Sequence, residues 1–456
     1  MSKFFTSDRN GATPITPVSA AALPAWLEQH PQSREWIASI GFKADAGTFA
    51  FVPSGNGRPA TVIASPAEGA SVYAFGDLPM ALPEGTYVLE LDETDVRPTD
   101  AALGWALGSY AFNAYKKPKR PPATLVWPAD ADQGEVDGVS RNVFLARDLI
   151  NTPAEDMGPE HLADAAKTLA DAHHAALRVI VGDELLEQNY PTIHIVGRAS
   201  HRRPCLIDLR WGNETAPKVT LVGKGVCFDT GGLDLKSRDG MLEMKKDMGG
   251  AAVVLGLAAA LMSANAPIRL RVLIPAVENS VAGNAVRPRD IVRTRSGKTV
   301  EIGNTDAEGR LILCDALTEA DSERPDLLID CATLTGAARI ALGPELQALF
   351  CDDDAVANGM LKAGADAGDP LWRMPIWRPY RKQIDSKCAD LNNIAPGPLA
   401  GSIIGALYLA EFVSAETRWA HLDIMAANQT SRPGRPEGGE ATGLRALYAY
   451  IRQCYA

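Results

Sequence analysis

The sequence predicts an α/β protein of two domains, on three observations. At 456 residues the chain exceeds the usual size of one domain and can bury a large core. Strand-like and helix-like apolar patterns alternate along it, in a composition of 46% hydrophobic and 22% charged residues that is ordinary for an α/β protein in water. Between Lys116 and Gly138 the chain turns Pro-rich and then acidic (KKPKRPPATLVWPADADQGEVDG), which reads as the exit from a first domain. The expected domains are therefore 1–135 and 136–456, with 136–155 as a connecting helix and linker.

In chain order, Thr48 to Pro53 and Thr86 to Leu91 are short apolar-rich runs that predict strands, and Asp100 to Tyr115 predicts a helix. Val139 to Ile150 predicts the connecting helix, stopped by Asn151-Thr152-Pro153 because a proline disfavours helical backbone just before it. Pro159 to Leu177 has the spacing of an amphipathic helix. Strands are expected at Val219 to Gly223, Leu270 to Pro275, Thr299 to Ile302, Leu327 to Ala332 and His421 to Met425. Gly249 to Met262 predicts a helix whose Gly and Ala residues suit close packing on a sheet.

A net charge of -11 disfavours attraction to phosphate backbones, although Lys116, Lys117, Lys119 and Arg120 form a local basic patch. The opening MSKFFTSDRN lacks the basic-then-apolar order of a signal peptide, and the longest apolar run, Ala251 to Met262, is too short to cross a bilayer; a cytoplasmic protein is expected. The seven cysteines show no CxxC pair and no regular spacing, so they read as small core residues rather than as disulfides or a zinc knuckle.

Chemistry concentrates in two clusters. Val222 to Ala252 (VGKGVCFDTGGLDLKSRDGMLEMKKDMGGAA) follows a strand and sets Lys224, Asp229, Lys236 and Asp247 among Gly-rich turns. It contains neither GxxxxGK[ST] nor GxGxxG, and Asp229 beside Gly231-Gly232 would repel a phosphate. The second cluster is Gly303 to Arg310 (GNTDAEGR), between the strand KTVEI and the helical LILCDALTEA. In extended backbone Asp306 and Glu308, two apart, would point the same way, while a helix N-terminus alone would also favour either one. Four carboxylates at strand ends, with few histidines and no HExxH, suit hard divalent cations or zinc bound through oxygen. Such hardware serves peptide or phosphate-ester hydrolysis alike. Lys224 reads from its type alone as an ion-pair partner, because a lysine binds metal only as a neutral amine.

The motifs ARDLINTPA (Ala146 to Ala154), VGKGVCFDTGG (Val222 to Gly232), KKDMGGAA (Lys245 to Ala252), NTDAEGRLILCDAL (Asn304 to Leu317), DCATLTGA (Asp330 to Ala337), ADLNN (Ala389 to Asn393) and WAHLDI (Trp419 to Ile424) occur in one order across the second domain. In this they resemble the leucyl aminopeptidase family, the two-metal cytosol aminopeptidases of peptidase family M17. The resemblance implies a macro-like α/β N-terminal domain and a larger catalytic domain with a mixed central β-sheet flanked by helices. It implies one metal on Asp229, Asp306 and Glu308, a second on Lys224, Asp229, Asp247 and Glu308, and Lys236 and Arg310 as catalytic side chains. A bicarbonate at Arg310 would shuttle protons. The ions are expected to be Mn2+ or Zn2+, with Mg2+ or Co2+ as alternatives, since oxygen-rich sites discriminate weakly.

Met244, Thr333 and Gly336 match pocket-lining positions of the family, and Asn304 lies beside the metal motif. After WAHLDI the family continues with Ala-Gly where this chain has Met425-Ala426, and Met425 fills space a bulky substrate side chain would use. Pro191 to Arg203 (PTIHIVGRASHRR) is unusual, and the first domain offers only ALGSYAFNAYKK as a match. His421 is expected to be a core histidine and not a ligand. The expectation is a metal-dependent aminopeptidase acting on peptides with a free N-terminus, as a homohexamer without nucleic-acid or membrane partners. The alternative is a DNA- or partner-binding protein on the same fold with secondary or lost peptidase activity.

Overall fold

The structure is a computed structural model that describes residues 4–54, 59–69, 71–92 and 94–455; positions 1–3 of the opening segment lie outside the described residues. It divides into two compact units, Met1–Phe144 with Asn428–Glu437, and Leu145–Ala427 with Gly438–Ala456. Both the expected boundary near 135 and the division after Phe144 fall within the helix Gln133–Asn151, which begins six residues before the predicted start at Val139.

In the first unit a six-stranded sheet runs Phe5–Thr6, Thr124–Val126, Thr86–Leu89, Thr13–Pro17, Pro59–Ala64, Phe49–Pro53. Its pairs are parallel except the last, an antiparallel edge. The helix predicted over Asp100 to Tyr115 runs instead from Pro98 to Gly108. Pro98 suits a first helical position, where its missing N–H is not needed. At the other end Ser109 turns its hydroxyl back onto the Trp105 carbonyl (2.8 Å), and Gly108 lies so close to the Gly76 carbonyl that a Cβ would come within 1.8 Å of it. Trp105, fully buried, donates its indole N–H to the Ala123 carbonyl.

The second unit is built on a nine-stranded mixed sheet, ordered Leu371–Met374, Gln347–Phe350, Trp419–Asp423, Leu327–Ala332, Lys218–Gly223, Arg269–Asn279, Cys205–Gly212, Ala176–Val181, with Gly225–Asp229 also paired to Arg269–Asn279. Four neighbours in the middle, Trp419–Asp423, Leu327–Ala332, Lys218–Gly223 and Arg269–Asn279, are parallel and bring their carboxyl ends to one edge. Antiparallel pairs bound them on both sides. Ligand sites in open α/β sheets form along such an edge.

The helix Gly249–Ser263 is buried along almost its whole length. Gly250 explains the depth: a Cβ there would lie 2.1 Å from the Cys331 carbonyl, so only glycine lets the helix rest on the strand. The helical stretch Arg238–Ser263 has the length and apolarity of a membrane span, but 94% of its apolar window is buried inside the unit, as in a core helix. On the other face Glu308–Ser322 and Gly401–Ala410 pack Leu311, Leu317, Leu407 and Tyr408 into the core. Cys205, Cys227, Cys314, Cys331 and Cys351 are buried and unpaired, as expected of small apolar residues.

The helix predicted to reach Leu177 stops at His173, because His174 takes left-handed backbone (φ 53°) and Leu177 belongs to the strand Ala176–Val181. The strand predicted at Leu270 to Pro275 extends over Arg269–Asn279, and that at His421 to Met425 is Trp419–Asp423. Part of the unusual Pro191–Arg203 stretch is the helix Pro191–Gly197.

Candidate metal centre

Five polar side chains gather at the carboxyl edge of the parallel strands. Lys224 follows Lys218–Gly223, and Asp229 closes Gly225–Asp229. Asp247 sits in the short 3-10 turn Met244–Met248 that feeds the helix Gly249–Ser263. Asp306 lies in the turn after Thr299–Glu301, and Glu308 is the first residue of Glu308–Ser322. Asp306 and Glu308 thus converge because a turn runs into a helix start, and not because an extended segment aligns them as the spacing suggested. The site and the helix N-terminus are the same place.

Asp229 is aimed by a bulge. Along Gly225–Asp229 the register against Arg269–Asn279 shifts between Val226 and Phe228, so Cys227 is an extra residue and Asp229 faces Asn279. Asn279 donates its amide to Asp229 Oδ1 (2.8 Å) and to the Thr305 carbonyl (3.1 Å), and the Gly231 N–H donates to the same Asp229 oxygen (2.8 Å).

Asp229, Asp306 and Glu308 each place a carboxylate oxygen so that all three lie within 4.8 Å of one another. Burial and the neighbouring Asp229 charge push Asp306 up to about 6, and the same causes with Asp247 push Glu308 up to about 8. Lys224 Nζ bridges Asp247 and Glu308 at 2.8 Å each and donates to the Thr333 carbonyl (2.9 Å). Burial works against its charge, but the carboxylates of Asp247, Glu308 and Asp229 outweigh burial and hold it above the usual lysine range. Lys236 Nζ in turn reaches Asp229 (2.9 Å) and Asp306, and burial is again outweighed there. Arg310 is buried, donates to the Asn393 carbonyl, and has no carboxylate in ion-pair reach among the described residues.

Two residues expected beside the substrate touch carboxylate residues of the cluster directly. Thr333 donates its hydroxyl to the Asp247 carboxylate (2.7 Å), and the Asn304 side chain accepts the Asp306 N–H (2.7 Å). Met244 opens the turn that carries Asp247, Gly336 starts the helix Gly336–Leu342, and Met425 is buried just past Trp419–Asp423. Ala426 takes left-handed backbone (φ 55°) where the family has glycine, and its methyl faces Gly249 so closely that a Cβ on Gly249 would come within 2.3 Å of it. An alanine there costs about 1–2 kcal/mol of backbone strain. His421 is fully buried, bonded through Nδ1 to Asp330 (2.6 Å) and stacked on Trp419, far from a ligand role.

Sequence reasoning passed over several supports. Thr305 and Asp234 lock the two clusters together: the Thr305 N–H donates to Asp234 (2.7 Å) and the Asp234 N–H to the Thr305 hydroxyl (2.8 Å). Asn393, inside the ADLNN motif, accepts from the Gly303 and Asn304 N–H groups and donates to the Asn304 carbonyl. The polar residues at strand ends were the available signal; their partners, 70 to 90 positions away, were not.

Known proteins are similar to this chain in sequence and fold. Residues 144–448 match the model of the cytosol aminopeptidase family, catalytic domain, and residues 13–128 that of the M17 aminopeptidase, N-terminal domain. A probable cytosol aminopeptidase of Roseiflexus castenholzii is 42% identical over 367 residues, 76% of this chain and 75% of that protein. The crystal structure of a cytosol aminopeptidase from Coxiella burnetii superposes with a TM-score of 0.96 at 47% identity, covering 100% of both chains. The bottromycin maturation enzyme BotP in complex with Mn superposes with a TM-score of 0.86 at 32% identity, covering 99% of this chain and 100% of that one. With both domains matched and the site residues gathered at one sheet edge, the chain belongs to the cytosol aminopeptidase (M17) family.

Proposed function

We propose that the chain, a metal-dependent aminopeptidase by its family, removes the N-terminal residue of peptides at this carboxylate cluster. The observation that carries the reading is the convergence of Asp229, Asp306 and Glu308 within 4.8 Å. The donor set fits divalent cations. Its oxygens are hard, buried Glu308 Oε2 has no hydrogen-bond partner, and positive charge would relieve the repulsion that raises Asp306 and Glu308. Asp229, Asp306 and Glu308 would hold one ion, and Lys224, Asp229, Asp247 and Glu308 the other. Lys224 can ligate only as a neutral amine, so binding through it releases a proton.

Two bound ions would lower the pKa of a water and polarise the scissile carbonyl. The residues of the chain supply the rest. Asp247 would accept the free amino group of the substrate, which restricts cleavage to the N-terminal end. The Lys236 ammonium lies against two of the ligand carboxylates, where it would meet the oxyanion of the tetrahedral intermediate. Arg310, a buried guanidinium without a carboxylate, suits a small anion such as bicarbonate that could carry the proton. Lys236→Met is expected to lower kcat by about 10²–10³-fold with KM little changed, measured at saturating metal with metal content checked.

The manganese in a structural relative supports Mn2+, with Zn2+, Mg2+ and Co2+ as alternatives. Relatives named cytosol aminopeptidases support a cytoplasmic location, the family resemblance supports a homohexamer, and the charge of -11 argues against a nucleic-acid partner. The test is hydrolysis of aminoacyl amides by chelator-stripped protein with each metal restored in turn. Metal-dependent release of the N-terminal residue, and none from N-acetylated peptides, is expected. Silence with metal bound would overturn the reading.

A further inference from the structure

Lys246 differs from the other two lysines of the site. Lys224 is taken up by Asp247 and Glu308, and Lys236 by Asp229 and Asp306. Lys246 is only 7% exposed, yet among the described residues its ammonium has neither a hydrogen bond nor an ion pair. A buried cation without a counter-charge is unfavourable unless something supplies one.

Its surroundings say where that charge would come from. Lys246 sits in the turn Met244–Met248, between the pocket residue Met244 and Asp247. One turn further, Gly249 abuts Ala426 and Thr333, so this wall faces the segments that carry Thr333, Gly336 and Met425. The charges around its ammonium are Asp247, Lys224, Arg339 and Asp423. Asp247 is already bonded to Lys224 and Thr333, and Asp423 accepts from the Leu334 N–H, the Thr335 N–H and the Thr335 hydroxyl. Arg339, on the helix Gly336–Leu342, is a further cation acting on the Lys246 ammonium beside Lys224. Among the described residues both carboxylates near Lys246 are engaged by other donors, and neither forms an ion pair with it.

We propose that Lys246 sets the specificity of the substrate pocket by pairing with the side-chain carboxylate of an N-terminal glutamate or aspartate, so that acidic residues are the preferred ones released. The inference rests on the aminopeptidase reading above. Adjacent residues would then hold the two charges of one amino acid, Asp247 its amino group and Lys246 its side-chain carboxylate. Met425, buried at a position expected from the family resemblance to line the pocket, would narrow the room left for a branched apolar side chain.

The test compares kcat/KM for Glu-, Asp-, Leu- and Lys-p-nitroanilides with manganese supplied, in the unaltered chain, Lys246→Met and Lys246→Arg. Calorimetric binding of L-glutamate and L-leucine to the same manganese-loaded proteins gives a readout apart from turnover. Glu over Leu is expected to be at least about tenfold in the unaltered chain, to fall by about tenfold or more in Lys246→Met, chiefly through KM, and to survive in Lys246→Arg. Melting curves establish that each variant is folded. Release of Leu in preference to Glu, or a Glu/Leu ratio that Lys246→Met leaves unmoved, would overturn the role of Lys246 while the aminopeptidase reading stands. Hydrolysis of none of the four would remove that reading and this inference with it.

Discussion

Replacing Asp306 with alanine is expected to lower kcat/KM by at least about 10³-fold and to leave the fold intact. Asp306 is one of the three carboxylates that lie within 4.8 Å of one another, so under the proposed assignment its loss removes one metal ligand. The folded chain gains nothing from its charge: burial, and after it the Asp229 charge, push its carboxyl up to about 6, so together they outweigh its contact with Lys236. Removing that charge should leave the melting temperature unchanged or slightly raised. Metal content by elemental analysis should fall with activity, and excess metal should restore part of both. Activity within tenfold of the unaltered chain would contradict the ligand assignment.

Arg147→Ala is expected to cost about 3–5 kcal/mol of stability, the usual penalty for leaving one member of a buried ion pair behind. Arg147 meets Glu440 through two parallel bonds of 3.0 Å, with side chains only 1% and 9% exposed. Glu440 also accepts the Ala441 N–H (2.9 Å), so its charge would stay in place without the cation. Chemical denaturation should show a lower midpoint with an unchanged slope. Arg147→Met with Glu440→Leu should recover most of the loss, because an apolar pair of similar volume leaves no charge buried. A single variant as stable as the unaltered chain would mean that the carboxylate finds water or another cation.

The parts of this protein legible in its sequence are those whose signal is local. Leu327–Ala332 is apolar but for Asp330 and buried on both faces, and its bounds agree with the prediction. The residues proposed for the metal site stand out because carboxylates and lysines among glycines have no packing reason to be there. The strands Cys205–Gly212 and Ala176–Val181 were missed for the opposite cause. Asp208 and Arg210 interrupt the apolar pattern, and only the fold shows Arg271 across the sheet joining Asp208 (2.8 Å), Glu319 (2.7 Å) and Glu323 (3.1 Å). Helix ends were misplaced where the stop was tertiary or conformational: Gly108 is held by the Gly76 carbonyl, and His174 by its left-handed backbone. Lys246 reads as one more surface lysine until its burial is seen.

The bulge at Cys227 carries a consequence for how this site can change over time. Side chains on a strand alternate between faces, so one additional residue puts the end of Gly225–Asp229 half a period out of phase with its beginning. Regular pairing of all five residues, without the bulge, would set Phe228 and not Asp229 opposite Asn279. Substitutions that keep the bulge can accumulate one at a time, but one that straightens the strand at its present length cannot. While the strand keeps its present length, the bulge between Val226 and Phe228 is therefore expected to be held in functional descendants of this chain even where the residues around it drift.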